Sequence, residues 1–159
     1  MAPTQHLLGF TLGPRRYALR LAAVERVVRV VEITPLPRAP DIVLGVINMQ
    51  GRIIAVVDAR KRFGLPARRL TLNDHLIVAR TPDRSVALLV DRADDAVECA
   101  AADITAAADI LPGMDYVEGV AKLADGTLLI HDLATFLSLE EAASLDAAFD
   151  AAAEEPHGA

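Results

Sequence analysis

Four histidines (His6, His75, His131 and His157) and one cysteine, Cys99, are the side chains best able to move protons, attack a carbonyl or hold a metal. A metal centre needs such ligands at short, regular spacings, and a nucleophilic centre needs a base beside the nucleophile. Neither pattern links these five residues. The adjacent pair His131-Asp132 has the types for acid–base work, but it ends an apolar run whose internal counterpart, Val57-Asp58, has no histidine. Catalysis is therefore not expected, and no cofactor or metal is implied. A lone Cys99 forms no internal disulfide, suits a reducing compartment and reads as a packed core residue.

Charge is unevenly placed. Residues 1–84 hold fourteen Lys and Arg against six Asp and Glu, residues 85–137 hold two against ten, and the acids beyond 137 account for the net charge of −6. Halves of opposite sign favour head-to-tail association, with another copy or with a relative. The basic half, with Arg60, Lys61 and Arg62, invites a nucleic-acid reading. Six aromatics in the whole chain and no glycine-rich phosphate loop argue against it. No apolar run is long enough to span a membrane and no leader pattern opens the chain, so a cytoplasmic location without direct membrane insertion is expected.

The elements that must position these residues read as short apolar runs separated by Gly, Pro and Asp, the pattern of a small β protein. Strands are expected at 6–12, 16–21, 27–31, 52–58, 75–80, 86–91, 116–123 and 128–132. A short helical turn leading into a strand is expected within 21–31. Order repeats along the chain. Gly45-Val46, Met49, Gly51, an apolar run and Asp58 are answered by Gly119-Val120, Leu123, Gly126, an apolar run and Asp132, with the same interval from glycine to aspartate. Ile33-Thr34 is likewise answered by Ile104-Thr105, and 17–21 by 86–90. Two units of about five strands each, closed to remove their edges, give two small barrels with a groove between them. Gly51 and Gly126 fall at hairpin turns that need positive φ. Ser138-Leu139-Glu140-Glu141 is a capping box opening a C-terminal helix at 139–153, with an apolar stripe of Leu139, Ala142, Leu145 and Phe149. The expected organisation is one domain over 1–150, with intertwined halves near 15–84 and 85–137, strand 6–12 and the helix packed on them, and a loose acidic tail at 154–159.

The segment 33–65, ITPLPRAPDIVLGVINMQGRIIAVVDARKRFGL, resembles the most characteristic stretch of the CheW family of chemotaxis coupling proteins. Thr34, Pro37, Pro40, Gly45, Val46, Asn48, Gly51, Val57, Asp58, Arg60, Phe63 and Gly64 fall on the family pattern, and the likeness extends from Phe10-Thr11-Leu12-Gly13 to the closing helix. The resemblance implies a mainly β fold of two pseudo-symmetric five-stranded Src-homology-3-like barrels with a C-terminal α-helix. It also implies a non-catalytic scaffold that couples methyl-accepting chemoreceptors to a CheA-type histidine kinase. The implied partners are the receptor's helical tip, the kinase's regulatory domain, and other CheW-like proteins or a second copy. Candidate partner-binding residues carried over are Val24, Arg26, Val27, Gly45, Ile47, Gln50, Gly51, Val90 and Ala96, with Gly45 small enough to admit a helix. Asp58, Arg60, Gly126 and Asp132 are assigned to turns or the barrel rim, where Asp58 and Arg60 could pair. The family usually has glutamate where Arg26 stands and arginine where Gln50 stands, so a Glu-to-Arg pair across the first barrel is not expected. These departures, with Ala55 and Ala59 in place of the usual proline and leucine, imply a coupler of an alternative chemosensory pathway. The same fold could instead serve as a stand-alone kinase-regulatory unit that binds other double-barrel proteins without a receptor.

Overall fold

The computed structural model describes residues 3–66, 69–106, 116–124 and 126–154. In chain order these form β1 (Thr4–Leu12), β2 (Arg15–Arg20), β3 (Val24–Arg29), β4 (Val43–Met49), β5 (Arg52–Asp58) and the single turn α1 (Ala59–Arg62). There follow β6 (His75–Arg80), β7 (Ser85–Val90), β8 (Arg92–Ala100), β9 (Ile104–Ala106), β10 (Val117–Leu123), β11 (Gly126–His131) and α2 (Leu139–Glu154). A 3-10 turn at Leu21–Ala23 leads into β3, as the mixed spacing of that segment predicts.

Two sheets result, with orders β3-β6-β7-β5-β4 and β8-β1-β2-β11-β10-β9. The duplication is visible in both. Each hairpin, β4–β5 and β10–β11, has a bulge just before its glycine, and the glycine pairs with Val56 in one and Ile130 in the other. Each second hairpin strand then joins a neighbour in parallel, β5 with β7 and β11 with β2. The Thr34–Val46 bridge of the first unit corresponds to the short β9, whose Thr105 faces Val120.

The halves are exchanged relative to the expected division at residue 84. β2, inside the first expected half, lies in the sheet of β10 and β11, while β7, inside the second, lies in the sheet of β5 and β6. The reason is the pairing rule of the repeat: the parallel neighbour of each hairpin comes from the other half of the chain. Three strands absent from the sequence reading, β4, β8 and β9, are interrupted by the bulge at Gly45, rich in Asp and Glu, or only three residues long. Each of those features hides the period-two signal on which strand reading depends.

Alternation divides the apolar residues among three clusters. Ile54 and Val56 of β5, Leu76 and Val78 of β6 and Ala87 of β7 fill the first barrel. Leu7, Ala18, Leu128 and Ile130 fill the second, together with Cys99, whose thiol pKa burial pushes up. The largest cluster lies between the barrels and takes the intervening residues: Leu8, Phe10 and Leu12, Tyr17 and Leu19, Ala55 and Val57, Ile77 and Ala79, Val86, Leu88 and Val90. Phe136 and Leu145 seal it, so α2 packs on the seam between barrels.

The two repeated glycines have one physical role. A Cβ on Gly45 would lie 2.2 Å from the Thr34 carbonyl oxygen, and one on Gly119 2.9 Å from that of Thr105. Gly45 also has φ +156°. Gly45→Ala is expected to destabilise the protein by more than about 1 kcal/mol, and by more than Gly119→Ala, whose backbone carries no positive φ. Urea midpoints of the two variants check the order.

Candidate partner-binding surfaces

Partner contact requires exposure, and the carried-over residues divide on that criterion. Val27 is 40% exposed on β3, Arg26 is exposed beside it, and Ala96 is exposed on β8. Val24 is half-buried against the seam cluster. Ile47 and Val90 are each 1% exposed, Ile47 inside the first barrel and Val90 in the seam, so they are core residues that no partner touches. Gly45 is buried too. Its missing side chain admits the chain's own Thr34 strand, not a foreign helix.

Two surfaces remain. At the margin of the seam, the turn Leu21–Ala23 lies against β1, and β1 sets Leu8 opposite Ala96 of β8. Leu8 and Val24, one from each sheet, share the seam cluster; Ala96 is exposed opposite Leu8, and Leu21, 37% exposed, lies three residues before Val24. The sequence reading had placed Leu21 at the end of a strand and in an ambiguous turn, without a partner-binding role.

The second surface is the end of the first barrel, a 180 Å³ hollow lined by Glu25, Arg26, Met49, Gln50, Arg52 and Val78. Gln50 (φ 53°) and Gly51 (φ 86°) make the two-residue hairpin turn, and Asn48 Oδ1 accepts the Gly51 N–H at 2.8 Å. Two consecutive positive φ values are what a type I′ turn needs. Contrary to expectation, a Glu-to-Arg pair does cross this barrel. Arg52 of β5 donates to Glu25 of β3 at 3.4 Å, and Ser85 of β7 donates to the same carboxylate at 2.8 Å, which holds the Glu25 pKa below its usual value. Arg26 reaches only Met49 Sδ, at 3.8 Å. The signal that could have revealed the pair was the acid one position before Arg26.

Asp58 and Arg60 do not pair. Asp58 caps α1, accepting the Lys61 N–H at 3.3 Å, while Arg60 turns away to Asp91 with two bonds of 2.8 and 2.5 Å. An N-terminal carboxylate satisfies an amide that the short helix cannot, and the Arg fork matches a carboxylate edge, so each group takes its better partner. Asp132 shapes its turn by accepting the Ala134 N–H at 3.0 Å, and Gly126 turns its hairpin with φ +141°.

The C-terminal helix is fastened by a polar node. Ser138 and Glu141 form the reciprocal capping box, at 3.0 and 2.9 Å. The Glu141 carboxylate also accepts Arg62 Nη2 at 2.8 and 2.7 Å. Arg62 Nη1 donates to the Tyr116 hydroxyl at 2.7 Å.

His131 lies beside this node as an aromatic filler, 4.8 Å from the Phe63 ring and 6.2 Å from Phe136, with neither ring nitrogen hydrogen-bonded. That environment has no use for a proton. Among the described residues no group of three or more His, Cys, Asp or Glu could hold a metal. Nor is any helix of the described residues long and apolar enough to cross a membrane.

A duplicated double barrel whose polar side chains serve turns, caps and internal ion pairs, and whose free surfaces suit macromolecular contact, defines a binding scaffold. The chain belongs to the CheW family: the CheW-like domain matches residues 6–143. A chemotaxis protein CheW of Rhizobium meliloti is 30% identical over 139 residues, covering 86% of this chain and 90% of the relative. One of Klebsiella aerogenes is 28% identical, covering 89% and 87%. The crystal structure of the scaffolding protein TtCheW from Thermoanaerobacter tengcongensis superposes with a TM-score of 0.80 at 27% identity, over 89% of this chain and 96% of that one. The family is one of non-catalytic scaffold and adaptor proteins of chemotaxis, and this chain shares its fold of two β units and a C-terminal helix.

Burial holds the His131 pKa near about 3, assisted by the charge of Arg62, against an unfolded value of 6.5. Below 6.5 the unfolded chain takes up a proton that the folded chain refuses, so stability falls as pH drops from 6.5 towards 3. The slope from this one group is about 1.4 kcal/mol per pH unit. His131→Val, which installs the residue of the first repeat, is expected to flatten that part of the profile, read from urea unfolding at a series of pH values.

Proposed function

We propose that this chain is the coupler between a chemoreceptor's cytoplasmic helical tip and a CheA-type histidine kinase. The receptor helix lies along the seam margin at Leu21, Val24 and Ala96. The kinase's regulatory domain meets the first-barrel end at Arg26, Gln50, Gly51 and Arg52. The observation that carries this reading is that the carried-over residues left exposed fall on two separate surfaces. One is apolar and shared by both barrels, as helix-in-groove recognition requires; the other is charged and formed by a turn.

The departures at Arg26 and Gln50 bear on partner choice. A positive side chain stands where the family usually shows a negative one, so a kinase surface matched to the usual pattern meets like charge here. The chain is thereby suited to an alternative chemosensory pathway, with its own receptor and kinase. Work within the cytoplasm, at receptor arrays on the inner face of the membrane, follows from those partners.

Calorimetric titration into the kinase regulatory domain and the receptor tip from the same genome tests the assignment. Ala96→Arg is expected to weaken receptor-tip binding by about tenfold or more, equivalent to about 1.4 kcal/mol, and to leave kinase binding unchanged. Gln50→Glu should do the reverse. Binding of the unaltered protein to neither partner would sink the coupling role. Substitution at Gly45 cannot serve as this test, because it strikes the fold itself.

A further inference from the structure

Away from both surfaces, a 350 Å³ crevice opens between the start of β2, the turn after α1 and the β10–β11 hairpin. Its described walls are Arg15, Tyr17, Arg62, Phe63, Gly64, Tyr116, Val117 and Leu129. The volume is in the range of small-molecule sites, and at its lower end. None of these walls is acidic, whereas two are arginines.

The two arginines differ in a way that makes a site. Arg62 is immobilised: its side chain is 8% exposed, Glu141 and Tyr116 hold its Nη atoms, and its guanidinium lies 4.6 Å over the Tyr116 ring. Its Nε is buried without an acceptor, while the Glu141 carboxylate neutralises its charge. Arg15 is exposed on the rim and makes no hydrogen bond or ion pair among the described residues. The uncompensated charge at this crevice is therefore that of Arg15, whose free fork at the mouth can close on an anion.

The remaining walls select the anion's body. Phe63, stacked at 4.2 Å on the buried Tyr17, supplies aromatic surface, and Leu129 supplies aliphatic surface. Tyr116 holds a left-handed backbone at φ 65°, a conformation that costs a non-glycine residue free energy and often marks a working site. Its hydroxyl oxygen accepts from Arg62, which leaves its O–H free to donate to a ligand.

The geometry points to a binding site for a small organic carboxylate with an aromatic or branched apolar body, its carboxylate gripped by Arg15 and its body against the half-buried Phe63 and Leu129. Inorganic phosphate offers nothing to those apolar walls. Occupancy would also bring a negative charge towards Arg62, the arginine that fastens α2 through Glu141, so binding at this crevice is placed to act on the helix that seals the seam.

Titration of the intact protein with N-acetylphenylalanine, followed by amide chemical shifts of Gly64, Tyr116 and Val117, tests the site. Saturable millimolar binding is expected. Arg15→Gln should weaken it about tenfold without changing the fold, since that side chain is exposed and unbonded. The neutral N-acetylphenylalanine amide should bind at least about tenfold more weakly than the acid. Equal binding of acid and amide, an unaltered affinity in Arg15→Gln, or inorganic phosphate competing as well as the acid would each overturn the inference. So would the absence of any shift at these amides.

Discussion

Six strands of this protein, β1, β2, β5, β6, β7 and β11, are buried on both faces, and that constraint governs the rest. One set of alternate residues fills a barrel and the other fills the seam. Such strands cannot alternate apolar with polar, which is why the chain shows continuous apolar runs. Space between the layers is limited, so alanine recurs at Ala18, Ala55, Ala79 and Ala87, all essentially inaccessible. The aromatics concentrate at one place. Phe10, Tyr17, Phe63, His131 and Phe136 form a continuous series of ring contacts along the seam, which explains a histidine with no polar partner: its ring is used for area and shape.

The same seam redirects the charges. Arginines of the basic first part pair within the molecule with acids of the later part: Arg20 with Glu118, Arg60 with Asp91, Arg62 with Glu141 and Arg84 with Asp146. The opposite signs seen along the chain are thus in part a device for closing the fold upon itself, not only a basis for head-to-tail contact. Exposed members such as Arg20–Glu118 add little, on the order of 0–1 kcal/mol. Arg60–Asp91 and Arg62–Glu141 are better shielded and fix α1 to β7 and to α2. Because the interior consumes these groups, they are not available for contact with a partner.

Much of this was legible in the sequence. The repeated glycine-to-aspartate interval fixed the duplicated hairpins, the capping box fixed the start of α2, and Gly51 and Gly126 fixed the turns. What escaped was long-range. Which half supplies the parallel neighbour of a hairpin depends on contacts between residues far apart, and no local pattern encodes it. For the same reason Ile47 and Val90 read as surface candidates. A strand residue's periodicity tells which face it is on, not whether that face meets a partner or another sheet. Arg60 misled differently: proximity in sequence to Asp58 suggested a pair, but a helix cap had prior claim on the carboxylate. Residues 107–115 and 155–159, the latter holding most of the expected tail, lie outside the described residues.

On the proposed reading, the barrel end is where this scaffold would change its partner without changing its fold. In the usual family pattern the positions of Arg26 and Gln50 carry opposite charges that cancel; here they sum to one positive charge. A Glu–Arg tie still spans β3 and β5, moved to Glu25 and Arg52 and reinforced by Ser85. The tie is partly exposed, so its contribution to stability is small and its loss or relocation is tolerated. What the relocation alters is display. Glu25 is engaged by Arg52 and Ser85, whereas Arg26, among the described residues, has a thioether contact alone and is exposed. On the proposed reading, a partner matched to this end would offer an acidic face beside the hairpin turn, and discrimination would arise from repulsion of basic faces as much as from attraction.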